Sequence, residues 1–253
     1  MDTENVRIFS SSPERYASVY GSPGSRVRFI GFFSIYSPFL LVVFVAGWLL
    51  SCAIPIEMSP VVAVILFFAL IGVAWIAFNS AGERFEAFLK GARGEEIVAR
   101  ELALLPGGWD VFHGIARSGM EGVAGSGDFD HIVVGSDSMF IVETKNWEAP
   151  VTLERGVLKV LGRSPRRSPV AQVRKAGLDL ANILKEVMPD GIAVTPIVCF
   201  ASNGLTADRE NVDDVCICNV RVLRKAIQES PKTPIDENKR QLILDILVKR
   251  MSF

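Results

Sequence analysis

The stretch GDFDHIVVGSDSMFIVETKNW, residues 127–147, carries three aspartates, one glutamate and one lysine over two short β-rich runs separated by a turn. Side chains two apart along a strand share a face, so Glu143 and Lys145 of the Glu-Thr-Lys triplet project together, about 7 Å apart along the chain. The runs Phe129 to Val134 and Met139 to Thr144 are separated by Gly135, Ser136, Asp137 and Ser138, a hairpin turn. With an even loop, Asp130 falls opposite Glu143, and one sheet face then displays two carboxylates and an ammonium. Two hard carboxylate oxygens suit Mg²⁺, which keeps several waters and leaves positions for a substrate phosphate. A metal held there activates a bound water, while the lysine orients that water or stabilises developing charge, and phosphodiester hydrolysis is the natural reaction.

The same residues have a plainer reading. A Glu-x-Lys pair on a strand is usually solvated and worth under about 1 kcal/mol, and Asp130 alone would serve as a turn or strand-edge residue. Between apolar strands, however, all three charges are expensive to bury without mutual pairing or a metal.

The elements that position them follow from periodicity. Phe85, Phe88, Leu89, Ile97, Val98 and Leu102 recur at helical spacing, which predicts a helix over Ser80 to Leu104 stopped by Pro106, Gly107 and Gly108. A strand at Trp109 to Ile115 precedes a Gly- and Ser-rich loop, Arg117 to Gly127. After the hairpin come a strand or pair of strands at Val151 to Leu161, an amphipathic helix at Pro169 to Val187, and an apolar run, Ile192 to Phe200, that reads as a central strand. A short strand at Asp214 to Cys218 and helices near Arg221 to Glu229 and Asp236 to Arg250 close the chain. The alternation predicts a layered α/β domain. A basic cluster, Arg163, Arg166, Arg167, Arg174 and Lys175, flanks the helix that carries Gln172. It would bind a nucleic-acid backbone without sequence preference; the alternatives are a solvated loop or contact with anionic lipid headgroups.

Gly94-Glu95 on the first helix, Asp130-His131 at a strand start, Glu143-Thr144-Lys145-Asn146 on the next strand, and Pro169-Val170-Ala171-Gln172 opening a helix together resemble the successive motifs of the NERD (nuclease-related domain) family. The resemblance covers about residues 88 to 205. That family is similar to restriction-endonuclease-like nucleases of the PD-(D/E)XK class, so the implied fold is a mixed sheet flanked by helices. Carried over position by position, the resemblance makes Asp130 and Glu143 metal ligands and Lys145 the catalytic lysine. Glu95 becomes an additional acidic residue and Gln172 a polar residue facing the site. Glu96 lies beside Glu95 and Asp128 beside Asp130; spacing from the glycine favours Glu95, and the His-Ile-Val-Val that follows favours Asp130. His131 points away from Asp130 along the strand and reads as structural or supporting. The implied cofactor is Mg²⁺ or Mn²⁺, and the implied substrate is nucleic acid, DNA ahead of RNA.

Composition adds limits. With 27 basic and 28 acidic residues in 253, bulk charge does not advertise a polyanionic partner, so any such contact is local. The four cysteines, Cys52, Cys199, Cys216 and Cys218, lack the partner spacing of a zinc site, and the two histidines, His113 and His131, stand apart from them. Much of the apolar content precedes residue 79. Phe29 to Ile56 carries no charge and exceeds the roughly 20 residues that cross a bilayer core, and a second uncharged run spans Val61 to Phe78. Joined by Glu57, Met58, Ser59 and Pro60, the two runs read as a transmembrane hairpin.

Arg15, Arg26 and Arg28 before the hairpin, and Arg84, Lys90 and Arg93 after it, place both termini on the cytoplasmic side. A cleaved signal peptide fits poorly after 28 polar residues. The expected organisation is thus a cytoplasmic segment (1–28), a hairpin (29–79) meeting the lipid bilayer through residues 29–78, and a cytoplasmic NERD-like domain (80–253). The whole would be a multi-pass inner-membrane protein acting as a metal-dependent nuclease. The alternative is a non-catalytic nucleic-acid-binding or protein-interaction module on the membrane.

Overall fold

The run MFIVETK becomes a central strand, with a paired strand on each edge and an apolar layer on each face. In the computed structural model, which describes residues 7–9, 16–24, 37, 39–50, 52, 59–117, 127–189 and 191–251, it forms β5 (Met139–Lys145). The other strands of its sheet are β1 (Arg7–Phe9), β2 (Ser18–Tyr20), β3 (Asp110–Ala116), β4 (Asp128–Val134), β8 (Val194–Phe200), β9 (Arg209–Val212) and β10 (Val215–Asn219). Among the described residues their order is β1-β2-β3-β4-β5-β8-β10-β9. The sheet is mixed, since β5 pairs antiparallel with β4 and parallel with β8. Of its two neighbours, the parallel β8 reads as a near-continuous apolar run, as expected of a strand covered on both faces, whereas β4 carries Asp128, Asp130 and His131 in its first half. The chain divides into two compact units, Met1–Gly24 with Gly91–Phe253, and Ser25–Lys90.

Within the first unit, two apolar layers sandwich the sheet. On one side Phe112, Phe129, Ile132, Ile141 and Phe200 pack with Val173 and Leu180 of α2 (Pro169–Ile183) and with Ile243 and Leu247 of α4 (Glu237–Met251). On the other, Val133, Phe140, Val142 and Ile197 pack with Val98 and Leu102 of α1 (Pro60–Ala103) and with Leu223 and Ile227 of α3 (Leu223–Gln228). Burying each such side chain contributes about 1.5–3 kcal/mol. Helix α2 begins where it does because Ser168 Oγ accepts from Ala171 N at 3.3 Å and Pro169 opens the first turn.

The segment after β5 forms a separate two-stranded sheet, β6 (Val151–Glu154) and β7 (Val157–Val160). Its turn residues Arg155 and Gly156 both have positive φ, 50° and 77°. That is the left-handed geometry that matches the twist of a tight hairpin.

The transmembrane expectation is corrected. Among the described residues no helix is long and apolar enough to cross a membrane, so a multi-pass inner-membrane protein with cytoplasmic termini is not supported. The second uncharged run does not end as a span and restart as a separate helix at Ser80. It is the N-terminal part of one 44-residue helix, α1, that continues into the charged stretch ending at Ala103. The connecting Glu57 and Met58, the flanking Arg15, Arg26 and Arg28, residues 29–36 of the first run, and residues 118–126 of the Gly- and Ser-rich loop lie outside the described residues. Within the second unit Phe44, Trp48, Phe67 and Trp75 are exposed.

Candidate functional site

Four charged side chains assemble where α1, β4 and β5 meet. The β4–β5 ladder pairs His131 with Val142, Ile132 with Ile141 and Val133 with Phe140. One step further along that register, Asp130 stands across from Glu143. The closure is direct: Thr144 N donates to Asp130 Oδ2 at 2.8 Å. Glu143 and Lys145 share a face, as the strand period requires, and Lys145 Nζ lies 2.5 Å from Glu143 Oε1, both half-buried. Glu95 enters from α1. Its Oε2 accepts from Gly24 N at 2.8 Å, so the N-terminal segment orients it. Helix α1 approaches β5 closely at Gly94, where an added Cβ would meet Asn146 Cβ at 2.7 Å.

The electrostatics mark these groups as one cluster. Burial pushes the Glu95 carboxyl up to about 7, aided by the charges of Glu143 and Asp128, against the Gly24 hydrogen bond and Lys145. Asp130 is held well above the usual carboxylate range, first by burial and then by the like charges of Glu143 and Glu95. Two carboxyls with raised values beside a third acid and one ammonium are what a site with more negative charge than its own cation can neutralise produces. Asp128 enters the cluster through its charge on Glu95, while Asp130 makes the bond to β5.

Beneath Asp130, the face toward α1 carries a buried polar chain. His113 Nδ1 and His131 Nδ1 are 2.7 Å apart, and His131 Nε2 is 3.0 Å from Thr144 Oγ1. Thr144 therefore ties the histidine pair to the Asp130 contact through its own backbone N–H. His131 is a supporting residue.

Gln172, in the first turn of α2, joins Lys145 in lining an open groove of ≈ 730 Å³ with Trp147, Pro165, Arg166 and Arg167. The basic cluster is split. Arg166 and Arg167 line the groove, whereas Arg174 is engaged by Asp214 and Asp213 at 2.6 and 3.2 Å, and Lys175 by Asp179 at 2.9 Å. Arg163 is not among the groove's lining residues; its backbone closes the end of β7 through two bonds with Val160. Reading the sequence alone assigns no role to Trp147, Thr144, His113 or the Gly24 N–H; Trp147 lies two residues past Lys145, beyond the end of β5.

The fold is a mixed α/β sheet flanked by helices, with acids and a lysine gathered at a central hairpin. Residues 90–201 match the family model described as the nuclease-related domain, NERD. That match covers under half of the chain and includes Glu95, Asp130, Glu143, Lys145 and Gln172. Comparison with curated proteins and with solved structures gave no match.

Proposed function

We propose that the NERD domain is a metal-dependent phosphodiesterase acting on nucleic acid. The observation that carries this reading is the convergence of Asp130, Glu143 and Lys145 on one hairpin with Glu95 of α1, beside a groove lined by Lys145, Arg166 and Arg167. Among the described residues no three His, Cys, Asp or Glu side chains form a ready-made metal cage. The donor set instead fits an ion that keeps its waters: two hard carboxylates, Asp130 and Glu143, would hold Mg²⁺ or Mn²⁺ and leave positions for phosphate. The raised Asp130 and Glu95 carboxyls support that fit, because a divalent cation offsets the repulsion that raises them. Such an ion, when bound, supplies charge neutralisation and an activated water.

The chain's own groups do the rest. Lys145, at present paired to Glu143, is the cation placed to stabilise negative charge developing on a phosphoryl oxygen. Asp130 is fixed by the Thr144 N–H, so one ligand position is set by the strand ladder and not by a flexible rotamer. Gln172 presents an amide to the same groove, where it can position substrate oxygens.

The test is cleavage of plasmid and single-stranded DNA, and of RNA, by the full chain with Mg²⁺ or Mn²⁺. Activity is expected to vanish with Glu143→Ala and with Lys145→Ala; activity unchanged by both rejects the site. A second reading, a non-catalytic nucleic-acid-binding module, is favoured by the Glu143–Lys145 ion pair, which satisfies both charges without a metal. It requires metal-independent binding and no turnover.

A further inference from the structure

The groove beside Lys145 holds one aromatic side chain among cations. Trp147 is half-buried, and its ring meets that of Phe200 at 5.7 Å and 67°. Its backbone is fixed as well, because Ser202 Oγ donates to the Trp147 carbonyl. Trp147 lines the groove together with Gln172, Pro165, Arg166 and Arg167. Unlike Arg174 and Lys175, neither Arg166 nor Arg167 has an ion-pair partner among the described residues, and both are exposed.

A fixed aromatic ring flanked by unpaired guanidinium groups is the arrangement that binds unpaired nucleotides. The ring stacks a base regardless of its identity, and the cations follow the backbone. The volume of ≈ 730 Å³ lies within the range of pockets that take small organic ligands. A duplex would use such a surface poorly. Its bases are stacked on each other, so it offers phosphates to Arg166 and Arg167 but no base face to a recessed tryptophan, unless a nucleotide is turned out of the helix at a cost of a few kcal/mol.

We propose that this groove takes an unpaired nucleotide of single-stranded nucleic acid, its base stacked on Trp147 and its flanking phosphates on Arg166 and Arg167. The strand is thereby delivered to Lys145, which lines the same groove. The inference rests on the phosphodiesterase reading for its consequence, yet it can be tested apart from it.

The experiment is fluorescence anisotropy of a labelled oligo(dT) strand and of a duplex of equal length, with the full chain in EDTA so that no cleavage intervenes. Single strand is expected to bind about 5- to 100-fold tighter than duplex, the range that base stacking implies. Trp147→Ala should weaken single-strand binding about 5- to 100-fold and leave duplex binding nearly unchanged. Trp147→Leu refills the space against Phe200 without a stacking face and should show the same loss. Trp147→Phe should restore most of the affinity. Arg166→Ala with Arg167→Ala should lower the salt slope by about 1.4 for single strand.

Duplex bound as tightly as single strand, or Trp147→Leu binding single strand like the wild type, overturns the proposal. Divalent-dependent cleavage lost in Glu143→Ala but indifferent to Trp147→Leu leaves the phosphodiesterase standing and removes the stacking site. Trp147-dependent single-strand binding without any cleavage does the reverse.

Discussion

His113 and His131, partners across the β3–β4 ladder, meet Nδ1 to Nδ1 at 2.7 Å, a contact in which one ring donates and the other accepts. Burial pushes His113 down to about 4, and His131 lies well below its usual value through burial and the neighbouring His113. In the unfolded chain both take up a proton near 6.5, so between 6.5 and 4 the unfolded state binds more protons and stability is lost as pH falls.

From that pair follows a stability prediction. His113→Gln keeps a donor toward His131 but does not titrate. Each proton of difference is worth about 1.4 kcal/mol per pH unit, so the stability gap between wild type and variant should narrow as pH falls from 6.5 toward 4. Chemical denaturation at a series of pH values measures it; a gap constant across that range contradicts the buried neutral pair.

Glu95 shifts the other way. Its carboxyl is raised to about 7 from 4.5, so the folded state holds a proton that the unfolded state has lost, and stability is lost as pH rises from 4.5 through 7. Glu95→Gln should therefore raise Tm at pH 8, by an amount on the order of 1–3 kcal/mol in stability, and have little effect at pH 4. Thermal melts at the two pH values decide; equal shifts at both would show that repulsion is not the cause.

Divalent cation should act on the same strain. If Asp130 and Glu143 grip Mg²⁺ or Mn²⁺, millimolar metal raises the wild-type Tm at pH 8 through binding to the folded state alone. Asp130→Asn should lose that increment, and calorimetric titration should show the matching loss of binding heat.

Gly94 tests the approach of helix to strand. In Gly94→Ala the new Cβ would lie 2.7 Å from Asn146 Cβ and 3.4 Å from Thr144 Cγ2, so α1 must move off β5. Overpacking of this kind costs about 1–3 kcal/mol. Because Glu95 is the next residue, cleavage should fall further than stability at low temperature explains. A variant with wild-type Tm and wild-type rate would show that the contact is slack.

The arginine cluster should divide by function. Arg174→Ala removes a side chain already engaged by Asp213 and Asp214, so it should leave the salt dependence of nucleic-acid binding nearly unchanged. Arg166→Ala should reduce the slope, by about 0.7 per phosphate contact for a single strand. Equal effects would show that Arg174 leaves its aspartates for the substrate.

The strand pair β4–β5, its four-residue turn and the opposition of Asp130 to Glu143 were legible in residues 127–147 alone, because strand period and loop parity are local quantities. The common face of Glu143 and Lys145 was legible for the same reason. The helix carrying Glu95 was visible from its apolar spacing, but its continuity with the apolar run from Pro60 was not, since a uniformly apolar stretch has no period to mark where one element ends. The edge strand β1 and its neighbour β2 were not legible because three residues are too few to carry a pattern.

What only the tertiary structure decided are the contacts between distant segments. The parallel pairing of β2 with β3 brings Gly24 to Glu95, 71 residues apart in sequence. The turn between β9 and β10 carries Asp213 and Asp214 to Arg174, withdrawing it from a basic cluster that composition alone presents as uniform. Trp147 becomes a groove residue only once Phe200 packs on it and Ser202 fixes its carbonyl. Periodicity fixes which side chains share a face; it is the burial of one segment against another that sets which face meets which, and so which charges remain free to meet a ligand.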